Sequence, residues 1–233
     1  MPKNPTTKLL TEIYERLVKR NGLRNWWPVK HNAGDNAGFE ITAGAILVQN
    51  TSWRNASRAL ENLNSAGIWG YGAIHECAVD DLVEAILSSG YYNTKSKKLK
   101  AFAQVVVEDF NGNDSELFAL SIPELRERLL GIYGIGEETS DDIILYAAKK
   151  PSFVVDAYTR RVVDRIGIKV DGNRYSDYQE IFEANLEPDV ELWGELHAQL
   201  DGHAARVCTK RDPRCGECVL VDLCDTGASR HLG

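Results

Sequence analysis

The chain has 233 residues, 43% hydrophobic and 26% charged, a composition that supports one large globular core or two small ones and excludes long disorder and fibrous repeats. No apolar run approaches the roughly 20 residues of a membrane-crossing helix, and the opening MPKNPTTKLLTEIYERL lacks the apolar block and cleavage site of a secretory signal, so a cytoplasmic protein without a membrane partner is expected. Lys and Arg number 27 against 34 Asp and Glu, a formal charge of −7, so any nucleic acid must be held by locally concentrated bases rather than by bulk charge.

Along the chain, helical periodicity dominates. Leu9, Leu10, Ile13, Tyr14, Leu17 and Val18 recur at helical spacing and predict an amphipathic helix over Thr7–Lys19. After a polar, Gly-containing stretch from Val29 to Gly38, apolar positions from Phe39 to Leu63 keep the same period. They are interrupted by Gln49-Asn50-Thr51-Ser52, which predicts two helices joined by a polar corner. Further helices are expected at Asp80–Leu87 and Lys95–Phe110, the latter stopped by Asn111-Gly112-Asn113. Ser121 can cap a helix with Pro123 in its first turn. That helix, Pro123–Leu130, runs into Gly131-Ile132-Tyr133-Gly134-Ile135-Gly136, and another resumes through Ile143, Ile144, Tyr146 and Ala147, forming a helix, hairpin, helix unit. Pro151 breaks the chain again and Ser152–Val155 is a short extended link. Helices at Ala157–Ile166, Asp177–Ala184 and Val190–Val207 complete an all-α fold with no internal repeat.

The cysteines carry chemistry. Cys77 stands alone and reads as a small buried apolar residue, whereas Cys208-x6-Cys215-x2-Cys218-x5-Cys224 places four thiolates on one short C-terminal wrap. A disulfide framework does not suit a reducing compartment. Four thiolates so closely spaced suit a 4Fe-4S cube, with structural zinc as the competing reading, although zinc more usually takes two Cys-x-x-Cys knuckles. Lys210, Arg211 and Arg214 lie between the first two cysteines beside a single acid, a local basic set in an acidic chain. The hairpin has its own logic: Gly134 and Gly136 permit positive φ and let a phosphate approach the backbone and the following helix start. Asp156, eighteen residues after Glu138, is placed to cap the helix beginning at Ala157.

The cysteine spacing, the Gly134-Ile135-Gly136 hairpin and the following Asp156 together resemble the endonuclease III branch of the helix-hairpin-helix DNA glycosylases. Trp26-Trp27-Pro28 with Gln49-Asn50-Thr51-Ser52-Trp53 looks like its 3-methyladenine glycosylase members. The resemblance implies a two-lobed all-α fold. One lobe is continuous over 35–150 and six-helical, ending in the hairpin; the other combines 1–34 with 151–233 and carries a 4Fe-4S cluster on Cys208, Cys215, Cys218 and Cys224. It implies a monomer bound to damaged double-stranded DNA, associated with the nucleoid.

By the same resemblance Asp156 is the catalytic residue. An anion there stabilises the positive charge that builds on the sugar as the N-glycosidic bond breaks, and can activate water. The base pocket is expected at Trp26, Trp27, Pro28, Trp53 and Glu138, since a flipped base is received between aromatic faces and a cationic methylated purine stacks well on indole. Glu138 stands where bifunctional members have a nucleophilic Lys and cannot form a Schiff base, implying a monofunctional enzyme, with Lys149 and Lys150 at a helix end as the alternative amines. Gln49 matches the wedge that fills the gap left by the flipped nucleotide, and Tyr91 a second wedge. Asn93, Lys95, Ser96, Gly134, Gly136, Lys210, Arg211 and Arg214 are expected to contact DNA. A uracil or mismatched-thymine enzyme, with Asn50 or Asn32 reading the base, and a non-catalytic DNA-damage binder are the alternatives. Trp69 and Trp193 read as core.

Overall fold

The computed structural model describes residues 4–31 and 37–231; Asn32 and the expected lobe boundary at Asp35 lie outside them. Every regular element among the described residues is helical. The chain divides into two compact units, Trp27–Lys150 and Met1–Trp26 with Pro151–Gly233.

The unit Trp27–Lys150 is built around the helix Ala37–Leu47, whose residues are buried on every side from Phe39 onward, the pattern of a central rather than a surface helix. The Gln49–Ser52 corner follows, and Ser52 caps Trp53–Ser65, which turns Ala56, Ala59, Leu60 and Leu63 inward. A capping box between Ser121 and Glu124 starts Ile122–Leu130. Ile132 and Ile135 then anchor the hairpin in the core, and Glu137–Asp142 continues into a π-helical stretch, Ile143–Ala147.

The sequence-based lobe boundary needs moving. Trp27 belongs with the continuous unit, and Lys30 and His31 are tied there because their backbone N–H groups donate to the buried Glu40 carboxylate at 2.8 and 3.0 Å. The short helices Tyr71–Glu76 and Asp114–Ala119 have too few turns to show a period and escape sequence reading. The helix expected from Lys95 begins three residues earlier, as Tyr92–Asp109.

In the other unit, Asn4 caps Pro5–Asn21 and its Leu10, Ile13 and Leu17 are buried. Phe153, Val154 and Val155 form a fully buried extended segment leading to Ala157–Ile166, which Gly167 ends in the left-handed region at φ +92°. The long helix Val190–Arg206 forms the centre of this unit, with Trp193 in its core, and Asp225–His231 lies beyond the cysteines.

Candidate functional site

Asp156 is positioned by the main chain before it. The Phe153 ring stacks on Phe182 at 3.8 Å. Phe153 N–H donates to Glu183 Oε1, its carbonyl accepts from Gln179 Nε2, and Val155 N–H donates to the Tyr175 hydroxyl. Asp156 then caps the next helix, with Oδ1 accepting from Thr159 N–H at 2.6 Å. Its second oxygen is directed elsewhere: Oδ2 lies 3.9 Å from His197 Nε2, and the Asp156 side chain keeps 14% exposure. His197 and Asp201 are one helical turn apart on Val190–Arg206. Burial raises the Asp201 carboxyl above the usual range, and His197 partly opposes the shift. This His and acid beside Asp156 are absent from the sequence-based site, because nothing local ties them to a residue some forty positions away.

The pocket candidates separate. Trp27 meets Trp53 edge to face at 5.2 Å and packs on Tyr146 at 5.4 Å. Gly44 lies close under it, since a Cβ there would come within 3.1 Å of the Trp27 ring. Pro28 is half-buried in the same unit, and Trp26 closes the other one. Tyr146 was not anticipated as a partner; it stands on the π-helical stretch, where the added residue per turn shifts the register of the side chains. Glu138 is exposed in the first turn after the hairpin, next to Glu137, which pairs with Arg126 at 3.5 Å. Asn50 is exposed at φ +54°.

At the hairpin, Gly134 has φ +82°, whereas Gly136 is extended at φ −98° and ψ −178° with open space where a Cβ would point. Gln49 is half-buried and its Nε2 donates to Thr139 Oγ1 at 2.9 Å. Tyr91 is 71% exposed although its backbone is left-handed, at φ +47°, a strained setting for a bulky aromatic residue. Asn93 is exposed beside it.

Two expected phosphate contacts are overturned. Lys95 is 2% exposed, its ammonium donating to the Leu47 and Ser89 carbonyls at 2.8 and 2.6 Å, and Ser96 is buried with its hydroxyl on the Asn93 carbonyl. The earlier helix start explains both. In Tyr92–Asp109 these two residues join Leu99, Phe102, Ala103 and Val106 on the inward face.

The four cysteines line one cavity with Arg165, Pro213 and Val221. Arg165 Nη1 donates to Cys208 Sγ at 3.2 Å, Leu220 N–H to Cys218 Sγ at 3.4 Å and Gly227 N–H to Cys224 Sγ at 3.3 Å. Such donors stabilise cluster-bound thiolates. Four sulfurs around one cavity on a single short wrap suit a 4Fe-4S cube. Burial pushes the Cys218 thiol up to about 11. Cys208, Cys215, Cys218 and Cys224 would hold a 4Fe-4S cluster here, which would tie the loop together through its four thiolates. Lys210, Arg211 and Arg214 are exposed on that loop, Arg214 lying 3.7 Å from Glu217. Arg165 holds the loop's main chain by donating to the Thr209 and Lys210 carbonyls at 2.8 and 2.9 Å.

Comparison with known proteins agrees with this arrangement. Residues 43–188 match the HhH-GPD superfamily of base excision DNA repair proteins, and 208–224 match the iron-sulfur binding domain of endonuclease III. A protein described as a DNA repair glycosylase, from Methanocaldococcus jannaschii, is 38% identical over 93% of this chain and 96% of its own. Endonuclease III of Sulfolobus acidocaldarius is 30% identical over 80% and 81%. Among solved structures, an endonuclease III trapped as a covalent intermediate with DNA covers 97% of this chain and 98% of its own at TM-score 0.79 and 18% identity, a likeness of fold. A 3-methyladenine DNA glycosylase of H. pylori, bound to 1,N6-ethenoadenine, covers 86% and 97% at TM-score 0.71 and 27% identity. Among the described residues no helix is long and apolar enough to cross a membrane. The chain therefore belongs to the HhH-GPD superfamily of base excision DNA repair proteins, as a DNA glycosylase of the endonuclease III family with a 4Fe-4S cluster.

Proposed function

We propose that the protein excises an alkylated purine such as 3-methyladenine from double-stranded DNA, as a monofunctional, monomeric enzyme acting on the nucleoid and leaving an abasic site. The observation that carries this reading is the Trp27–Trp53 edge-to-face pair backed by Tyr146. Electron-rich aromatic faces favour a cationic base, whose glycosidic bond is already weakened by its charge. Uracil instead calls for amide readers. The 27% identical H. pylori 3-methyladenine glycosylase supports the same substrate class.

Asp156 is the catalytic carboxylate in this reading. With Oδ1 committed to the Thr159 amide, Oδ2 is left to stabilise the developing sugar cation and to orient water. Glu138 offers no amine for a Schiff base, and the Lys150 ammonium is held on the Leu120 carbonyl. Gln49 and Tyr91 serve as wedges, and Asn93, Gly134, Gly136, Lys210, Arg211 and Arg214 face the DNA backbone.

The test is base release from matched duplexes containing 3-methyladenine, 7-methylguanine, or uracil or thymine opposite guanine, with and without alkali and with borohydride trapping. Release of methylated purine, nicking only after alkali and no trapped adduct are expected. Release of uracil or thymine overturns the substrate, and an adduct overturns the monofunctional reading.

A further inference from the structure

Gln49 has every hydrogen-bonding atom of its amide occupied within the unit Trp27–Lys150. Nε2 donates to Thr139 Oγ1 at 2.9 Å and to the Gly134 carbonyl at 3.4 Å, and Oε1 accepts from Lys98 Nζ at 2.5 Å. An ammonium can only donate, so the lysine fixes which end of the amide faces it. The partners come from three stretches far apart in sequence: the corner after Ala37–Leu47, the helix Tyr92–Asp109 and the hairpin with its following helix.

Gly134 shows how closely these stretches meet. A Cβ at that position would lie 2.5–2.6 Å from the Lys98 side-chain carbons, so the lysine stem crosses the hairpin directly over the glycine. Burial lowers the Lys98 amine from its ordinary value.

We propose that Lys98 is a positioning residue for the Gln49 wedge, holding it in one orientation on the hairpin before DNA arrives. The proposal rests on the reading of Gln49 as the wedge. A free glutamine loses its rotamer freedom only when it enters the duplex, which slows insertion. A glutamine already fixed by a charge-assisted bond and a hydroxyl has lost that freedom in advance. Lys98 thus acts on base flipping through Gln49 and carries no sequence information itself.

The test uses the full chain with its cluster and a duplex carrying a tetrahydrofuran abasic analogue beside 2-aminopurine, so that no assumption about the excised base enters. Stopped-flow fluorescence reads unstacking and wedge insertion. K98M is expected to slow insertion about tenfold, Q49A at least as much, and Q49A/K98M no more than Q49A alone, because residues acting through one another are not additive. T139V, which removes the other anchor, is expected to slow insertion less and to be equally silent in the Q49A background. Thermal melting of each variant checks the fold.

Additive losses in Q49A/K98M, together with a salt dependence of binding shallower by about one charge in K98M, overturn the proposal and make Lys98 a phosphate contact. Wild-type insertion in K98M also overturns it. Wild-type insertion in Q49A removes the wedge reading and this proposal together.

Discussion

The surroundings of Asp156 and those of Gln49 are held by different means. Asp156 follows a buried extended segment whose backbone groups are tied to Glu183, Gln179 and Tyr175, and it caps the helix it precedes. Gln49 lies at a polar corner and is fixed by side chains and one carbonyl brought from remote parts of the chain. The Asp156 cap, three residues from its partner, is written locally, although the segment before it is held by side chains 20 to 30 residues on. A residue placed by tertiary side-chain contacts acquires its orientation only when the unit is folded.

The sharpest way to break this contrast is Asp156→Asn. Asn caps a helix about as well as Asp, so the melting temperature and binding to an abasic analogue should hold. Base release should fall by about 10³-fold, within the range for losing a positioned acid or base in the transition state. Equal loss of binding would make Asp156 a structural cap, and unchanged release would place the chemistry elsewhere.

Lys95 tests the other mode of placement next. Its buried ammonium lies below its ordinary value, at about 8, through burial first and the like charge of Lys98 second. The unfolded chain therefore binds more protons between that value and the ordinary lysine value of 10.5, and stability should rise with pH across this window. Lys95→Met should cost about 1–3 kcal/mol at pH 7 by leaving the Leu47 and Ser89 carbonyls without their donor. It should also abolish that rise and leave the salt dependence of DNA binding unchanged. Urea titrations from pH 7 to 10 check the first two, and a shallower salt slope would restore Lys95 as a phosphate contact.

What was legible in the sequence follows the same division. The all-α fold, the hairpin and the cap at Asp156 are patterns of spacing and local chemistry, and they are present in the fold. The four cysteines form one loop for the same reason. Lys95 and Ser96 were misplaced because the helix starts three residues earlier, so both lie inside its first turns, four and three residues before the buried Leu99, rather than at its exposed end. Tyr146, His197 and Lys98 were missed as site neighbours because each reaches its partner through tertiary packing, and Tyr146 also through a π turn that no apolar period announces.

The smallest expected effects come from the two hairpin glycines, which look equivalent in sequence and are not. Gly134→Ala forces a side chain into φ +82° and onto the Lys98 stem, and should cost about 1–2 kcal/mol of stability. Gly136→Ala meets ordinary extended φ and ψ and open space, and should be neutral to within about 0.5 kcal/mol. If the open side of Gly136 is where a phosphate approaches the backbone, its alanine variant should weaken DNA binding while melting like wild type. Denaturant titration and binding to an abasic-analogue duplex separate the outcomes, and unaltered binding in Gly136→Ala would leave Gly134, held open by Lys98, as the single glycine the hairpin requires.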